Sequence, residues 1–200
     1  ERRRRWVGSL LVLALLAVAA TGASVAHWWW TWDAQLWNSS FGLGRDIRAG
    51  TNDRTGITTA EAAGRSEVTV RYAEGQGFDV MFDITNGSGR DITITAIDNP
   101  LLFRSPATLR EIWTMAGRGF GSWVPFAPVA LAADPGPDGY ANNRRFLLHF
   151  VHEQCTGWGQ GGTSFDSVTV HYRALGRDRT ATVELLSRVT VVVPGPCPTG

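Results

Sequence analysis

The stretch FDVMFDITNGSGRDITITAI (78–97) decides the fold. Phe78, Val80, Phe82 and Ile84 alternate with Asp79, Met81 and Asp83. Beyond Asn86-Gly87-Ser88-Gly89, Ile92, Ile94 and Ala96 alternate with Thr93 and Thr95. A period of two sends successive side chains to opposite faces of a strand. Each half therefore predicts one face on a core and one in water. The Asn-Gly-rich break between them predicts a hairpin. Asp79 and Asp83 share the face expected to be solvated, so they are not expected to form an acid/base pair.

The same period extends outward in both directions. Upstream, Val68, Val70 and Tyr72 alternate with Thr69 and Arg71. Downstream, RFLLHFVHE (145–153) sets Phe146, Leu148 and Phe150 on one face and Leu147 and Val151 on the other, which predicts a strand buried on both sides. Val168, Val170 and Tyr172 continue the pattern, Gly176-Arg177-Asp178 turns the chain into 180–186, and Val189, Val191 and Val193 form a last strand. Residues 109–115 fit a strand or a short helix, and the Gly and Pro residues of 117–128 predict an irregular crossing. About seven strands in 66–200 predict an antiparallel two-sheet sandwich.

The N-terminal third is different. Arg2, Arg3, Arg4 and Arg5 form a basic start (1–5), and no charged side chain follows from Trp6 to Trp32 if His27 is neutral. A bilayer core of ~30 Å needs about 20 apolar residues in a helix, so 6–32 predicts a single transmembrane helix. Trp6 at one end and Trp28, Trp29, Trp30 and Trp32 at the other suit the two headgroup regions, and the arginines predict a cytoplasmic N-terminus with the rest of the chain extracytoplasmic. A cleaved export signal is the competing reading, with small residues at Ala17-Val18-Ala19 and Ser24-Val25-Ala26. The continuation of the apolar run into a Trp belt favours retention. Residues 33–65, rich in Gly, Thr, Asn and Asp and without periodicity, read as an extracytoplasmic linker.

Cys155 and Cys197 are the only cysteines. On this topology both face an oxidising compartment, where pairing is expected. All nineteen basic residues are Arg, against eighteen acidic, for a net charge of +1. So even a balance gives no electrostatic ground for nucleic-acid binding.

Taken together, the FDVMFDITNGSGRDITITAI stretch, a proline-marked crossing, Cys155 before a Gly-rich loop, FDSVTVHYRALGRDRTATVELL (165–186) and the closing VTVVVPGPCP resemble a group of exported or membrane-anchored actinobacterial domains. The resemblance covers about 66–198. It implies an immunoglobulin-like β-sandwich and an extracytoplasmic location, and it carries no catalytic residues over to this chain.

Candidate site residues are few. His149, His152 and Cys155 could suggest a cupredoxin-like metal or electron-transfer site, but strand parity sends His149 and His152 to opposite faces. Trp113, Trp123, Tyr140 and Trp158 lie in irregular or Gly-rich surroundings and are candidate interaction aromatics for a partner or cell-envelope ligand. No nucleophile elbow or phosphate loop is present, and no cofactor is implied. The sequence thus predicts a non-enzymatic single-pass protein, an accessory or scaffolding subunit whose partners are the bilayer and other membrane subunits.

Overall fold

A computed structural model describes residues 2–62, 65–72, 75–101, 105–116, 121–137, 139–152 and 162–192, without the side chains of 2–13 and 62. Cys155, Cys197 and Trp158 lie outside these residues, as do the side chains of the Arg2–Arg5 run and Trp6. The chain divides into two compact units, 1–33 and 34–200.

The first unit is one α-helix, α1 (Arg2–Thr31). Leu and Ala, which lose little conformational freedom in a helix, dominate its middle. Thirty residues at 1.5 Å each give it a length of about 45 Å. Among the described residues, no helix is long and apolar enough to cross a membrane.

The described residues of the second unit form a β-sandwich of eleven strands. In chain order they are β1 (Leu36–Gly44), β2 (Ile57–Ala62), β3 (Arg65–Val70), β4 (Gly77–Asn86), β5 (Ile92–Ile97), β6 (Ala107–Met115), β7 (Trp123–Pro125), β8 (Val129–Leu131), β9 (Asn143–His152), β10 (Thr163–Ala174) and β11 (Arg177–Val191). One sheet runs β1-β4-β9-β6-β7 and the other β2-β3-β11-β10-β5-β8. Among the described residues all strand pairings are antiparallel except β3 with β11, which run parallel. The two-sheet expectation therefore holds, with more strands than foreseen and one parallel ladder.

The core is the set of alternate residues that the sequence marks. Phe78, Val80, Phe82, Ile84, Phe146, Leu148 and Phe150 from one sheet meet Val70, Ile94, Val168, Val170, Tyr172, Val183, Val189 and Val191 from the other, all buried. The Phe78 and Phe150 rings stack with centroids 5.1 Å apart, and Phe82 stacks on Phe146 at 5.9 Å. Burying an apolar side chain of this size contributes about 1.5–3 kcal/mol, so these rings are the main weight holding the sheets together.

Three expectations are corrected. First, Asn86-Gly87-Ser88-Gly89 is not a hairpin: β4 and β5 lie in different sheets, so the turn carries the chain across the core. Asn86, fully buried, fixes this crossing by donating Nδ2 to the carbonyls of Arg90 at 2.7 Å and Ala132 at 2.9 Å. Second, part of the stretch read as a linker belongs to the sandwich. β1 is an edge strand of one sheet and β2 of the other. β1 hides its period because its register shifts between Asn38 and Phe41 and because the inward Asn38 is polar. Third, 180–186 and the strand after it are one continuous β11. Ser187 faces inward and Leu186 outward, which disguises an unbroken alternation.

Candidate functional site

The outer face of the β1-β4-β9-β6-β7 sheet gathers most of the chemistry. Asp79 on β4 stands opposite His149 on β9, which stands opposite Glu111 on β6. The neighbouring row is apolar: Met81, Leu147 and Trp113 occupy the corresponding places on the same three strands. Residues 45–53 fold back over these rows as a strap. Its base is a two-hydrogen-bond bridge between Arg45 and Asp53 (2.7 and 3.1 Å), and its tip is a single 3-10 turn, Ile47–Ala49.

Several polar groups under the strap are paired. The Ile47 N–H donates to Oδ2 of Asp79 at 2.9 Å, and Nδ1 of His149 lies 2.7 Å from Oδ1. Arg48 donates to Glu111 Oε2 at 3.1 Å, and its guanidinium sits 4.2 Å from the centroid of the Trp113 ring. The Trp113 indole N–H donates to the same Glu111 oxygen at 2.8 Å. Asp46, Arg48, Ala49, Asp79, Trp113, Leu147 and His149 line a small recess of about 60 Å³.

Asp79 and Asp83 are buried, 3% and 6% exposed, which corrects the expectation of a solvated face. The strap and partner side chains exclude water there. Asp83 receives a bidentate pair from Arg145, Nε–Oδ1 2.7 Å and Nη2–Oδ2 3.1 Å. That hydrogen-bonded pair raises the Arg145 pKa above the ordinary arginine value. Periodicity alone could not show this, because an acidic residue at an outward position reads as solvated whether or not a loop covers it.

The two histidines are not brought together. His149 is on the outer face with Asp79, whereas His152 is buried on the core side, its Nε2 3.2 Å from the Val192 carbonyl oxygen. Among the described residues no group of three or more His, Cys, Asp or Glu side chains is placed to hold a metal ion. His171 pairs with Asp98 at 2.8 Å on the exposed surface. Of the candidate aromatics, Trp113 and Trp123 are partly exposed and Tyr140 is exposed. Trp28 and Trp30 of the helix are also exposed, and Trp29 meets Trp30 edge to face at 5.8 Å.

No family model and no curated protein matches the chain. Among solved structures it is similar to BcpA, the major pilin subunit of Bacillus cereus, at 6% identity and a TM-score of 0.36, covering 80% of this chain but only 40% of that one. It is also similar to the ASH/PapD-like domain 7 of human CEP192 (10% identity, TM-score 0.31, 70% of this chain and 86% of that one). A third is the CooA pilin subunit of enterotoxigenic Escherichia coli (10% identity, TM-score 0.27, 78% and 99%).

Proposed function

We propose that the protein is a non-enzymatic, membrane-tethered docking module. In this reading the part of α1 whose side chains are described, 14–31, is too short an apolar stretch to span alone, and the uncharged residues 6–13 of the sequence complete a bilayer-spanning helix with its arginines on the cytoplasmic side. The sandwich projects from the other side as an accessory subunit of a membrane assembly. The observation that carries it is the surface of α1. Leu15, Leu16, Val18, Val25, Trp28 and Trp30 are between 43% and 71% exposed, an apolar surface that water disfavours and that lipid or neighbouring helices would cover. The three hydroxyls between 14 and 31 support the same reading. Thr21, Ser24 and Thr31 each donate to the carbonyl four residues earlier, at 2.8, 2.9 and 2.9 Å. A hydroxyl satisfied inside its own helix can enter lipid without an unpaired donor. This reading would also set Cys155 and Cys197 in an oxidising compartment, where they would form a disulfide.

The test is extraction of membranes carrying the full chain. Alkaline carbonate is expected to leave the protein in the pellet, and the double variant Leu16→Arg, Val18→Arg to release it. Release of the unaltered chain into the supernatant refutes the tether.

A further inference from the structure

The strap displays a cation seated in a pocket. The Arg48 guanidinium lies on the face of Trp113, Glu111 accepts from it, and the indole N–H locks Glu111 in place by donating to the same oxygen. An aromatic platform with a carboxylate fixed at its edge is the chemistry that recognises a planar cation. The occupant, however, belongs to the chain's own loop. Arg48 and Glu111 are each nearly half exposed, so water screens their pair and the hold is weak. None of the three residues of the 3-10 turn is fully buried, and the hydrogen bond that ties the tip to the sheet, Ile47 N–H to Asp79 Oδ2, does not involve the Arg48 side chain. Withdrawing the Arg48 side chain would leave the Glu111 carboxylate beside the Trp113 ring, with Asp79 and His149 lining the same recess.

We propose that the Trp113–Glu111 platform is a binding site for an arginine side chain on a partner protein segment, and that Arg48 is its intramolecular stand-in. The partner's guanidinium displaces the Arg48 side chain from the ring and takes the same seat. Arginine is favoured because the structure shows a guanidinium satisfying both the ring face and the carboxylate. The proposal stands on the sandwich alone and does not depend on α1 entering a bilayer.

Self-occupancy predicts that the free protein binds more weakly than a variant whose seat is empty, since apparent affinity falls with the fraction of open sites. The experiment follows the Trp113 indole N–H resonance, assigned with Trp113→Phe, in the full chain in mild detergent. The probe is a blocked Gly-Arg-Gly peptide, and its citrulline counterpart is the neutral control. In Arg48→Gln the arginine peptide is expected to shift the resonance saturably, at concentrations about tenfold lower than in the unaltered chain. The citrulline peptide should have no effect, and adding Glu111→Gln should abolish the response. No saturable shift in Arg48→Gln, or equal shifts from both peptides, overturns the proposal. An Arg48→Gln affinity no better than that of the unaltered chain removes the stand-in role.

Discussion

Nδ1 of His149 lies 2.7 Å from Oδ1 of Asp79, its direct neighbour across the β4–β9 ladder, while Oδ2 of the same carboxylate accepts the Ile47 N–H at 2.9 Å. One buried carboxylate thus ties the sheet to the strap. Asp79→Ala removes the acceptor for both donors and is expected to destabilise the sandwich by about 1–3 kcal/mol. Asp79→Asn, which keeps one acceptor oxygen, should fall between. Urea unfolding followed by near-ultraviolet circular dichroism reads the difference. A loss within about 0.5 kcal/mol for the alanine variant, the range of an ordinary surface change, would contradict it.

The aromatic layer makes a sharper contrast. Phe150 stacks on Phe78 at 5.1 Å and meets Phe165 at 5.9 Å, and it is completely buried. Phe150→Ala opens a cavity between the sheets and is expected to cost about 3–5 kcal/mol. Leu186 on β11 points outward and is 53% exposed, so Leu186→Ala should leave stability nearly unchanged although both positions lie in apolar runs. The same unfolding measurement separates them, and equal losses would refute the assigned facing of β11.

Tyr72 provides an alkaline signature. Burial pushes its hydroxyl up to about 12, partly offset by the Arg45 guanidinium, whose carbon lies 5.6 Å from the ring centroid. The folded state therefore holds this proton more tightly than the unfolded chain, where tyrosine titrates near about 10. The contribution is complete below the unfolded value, declines as pH rises above it, and is gone once pH passes the folded value. Among the described residues the buried Tyr72 hydroxyl has no hydrogen-bond partner, so Tyr72→Phe should be neutral or stabilising at pH 7. It should also delete the late phase of an ultraviolet absorbance titration. A late phase that survives the substitution assigns it elsewhere.

Where alternation was clean and faced a core, the sequence was sufficient to place a strand. The inward faces of β4 and β9 follow their apolar parity residue by residue, whereas β5 does so only through Ile94, after which Ile97 rather than Ala96 is buried, and β10 only from Val168 onward. Legibility failed where pairing rather than pattern makes the strand. β1 is held by its register with β4 despite the break between Asn38 and Phe41, and β2 is a six-residue edge whose side chains are mostly exposed. The candidate site was legible only in fragments. Trp113 and His149 drew attention by type, but Arg48 lay in a stretch without period, and only the fold brings that stretch onto β4, β9 and β6. Parity did separate His149 from His152, because a strand fixes opposite faces whatever covers them.

The crossing at Asn86 yields the most discriminating substitution. An Asn-Gly pair joins hairpins when the flanking strands can pair, yet here β4 already has β1 and β9 as neighbours, and β5 has β10 and β8. With both edges taken, the turn must bridge the sheets, and Asn86 Nδ2 faces three carbonyl oxygens, those of Arg90, Leu131 and Ala132, at 2.7, 3.3 and 2.9 Å. Asn86→Ala leaves these oxygens without their donor and should cost about 1–3 kcal/mol. Asn86→Asp has nearly the same shape but no donor when ionised, so it turns a negative oxygen toward the carbonyls. It should be more destabilising than alanine at neutral pH. Because the folded state resists that charge, the carboxyl's folded pKa must be raised, and stability should return as acid protonates it. Thermal melts of the two variants across the acid range test this. If the aspartate variant is as stable as the alanine variant at pH 7, or gains nothing on acidification relative to it, then the Asn86 amide does not hold the crossing.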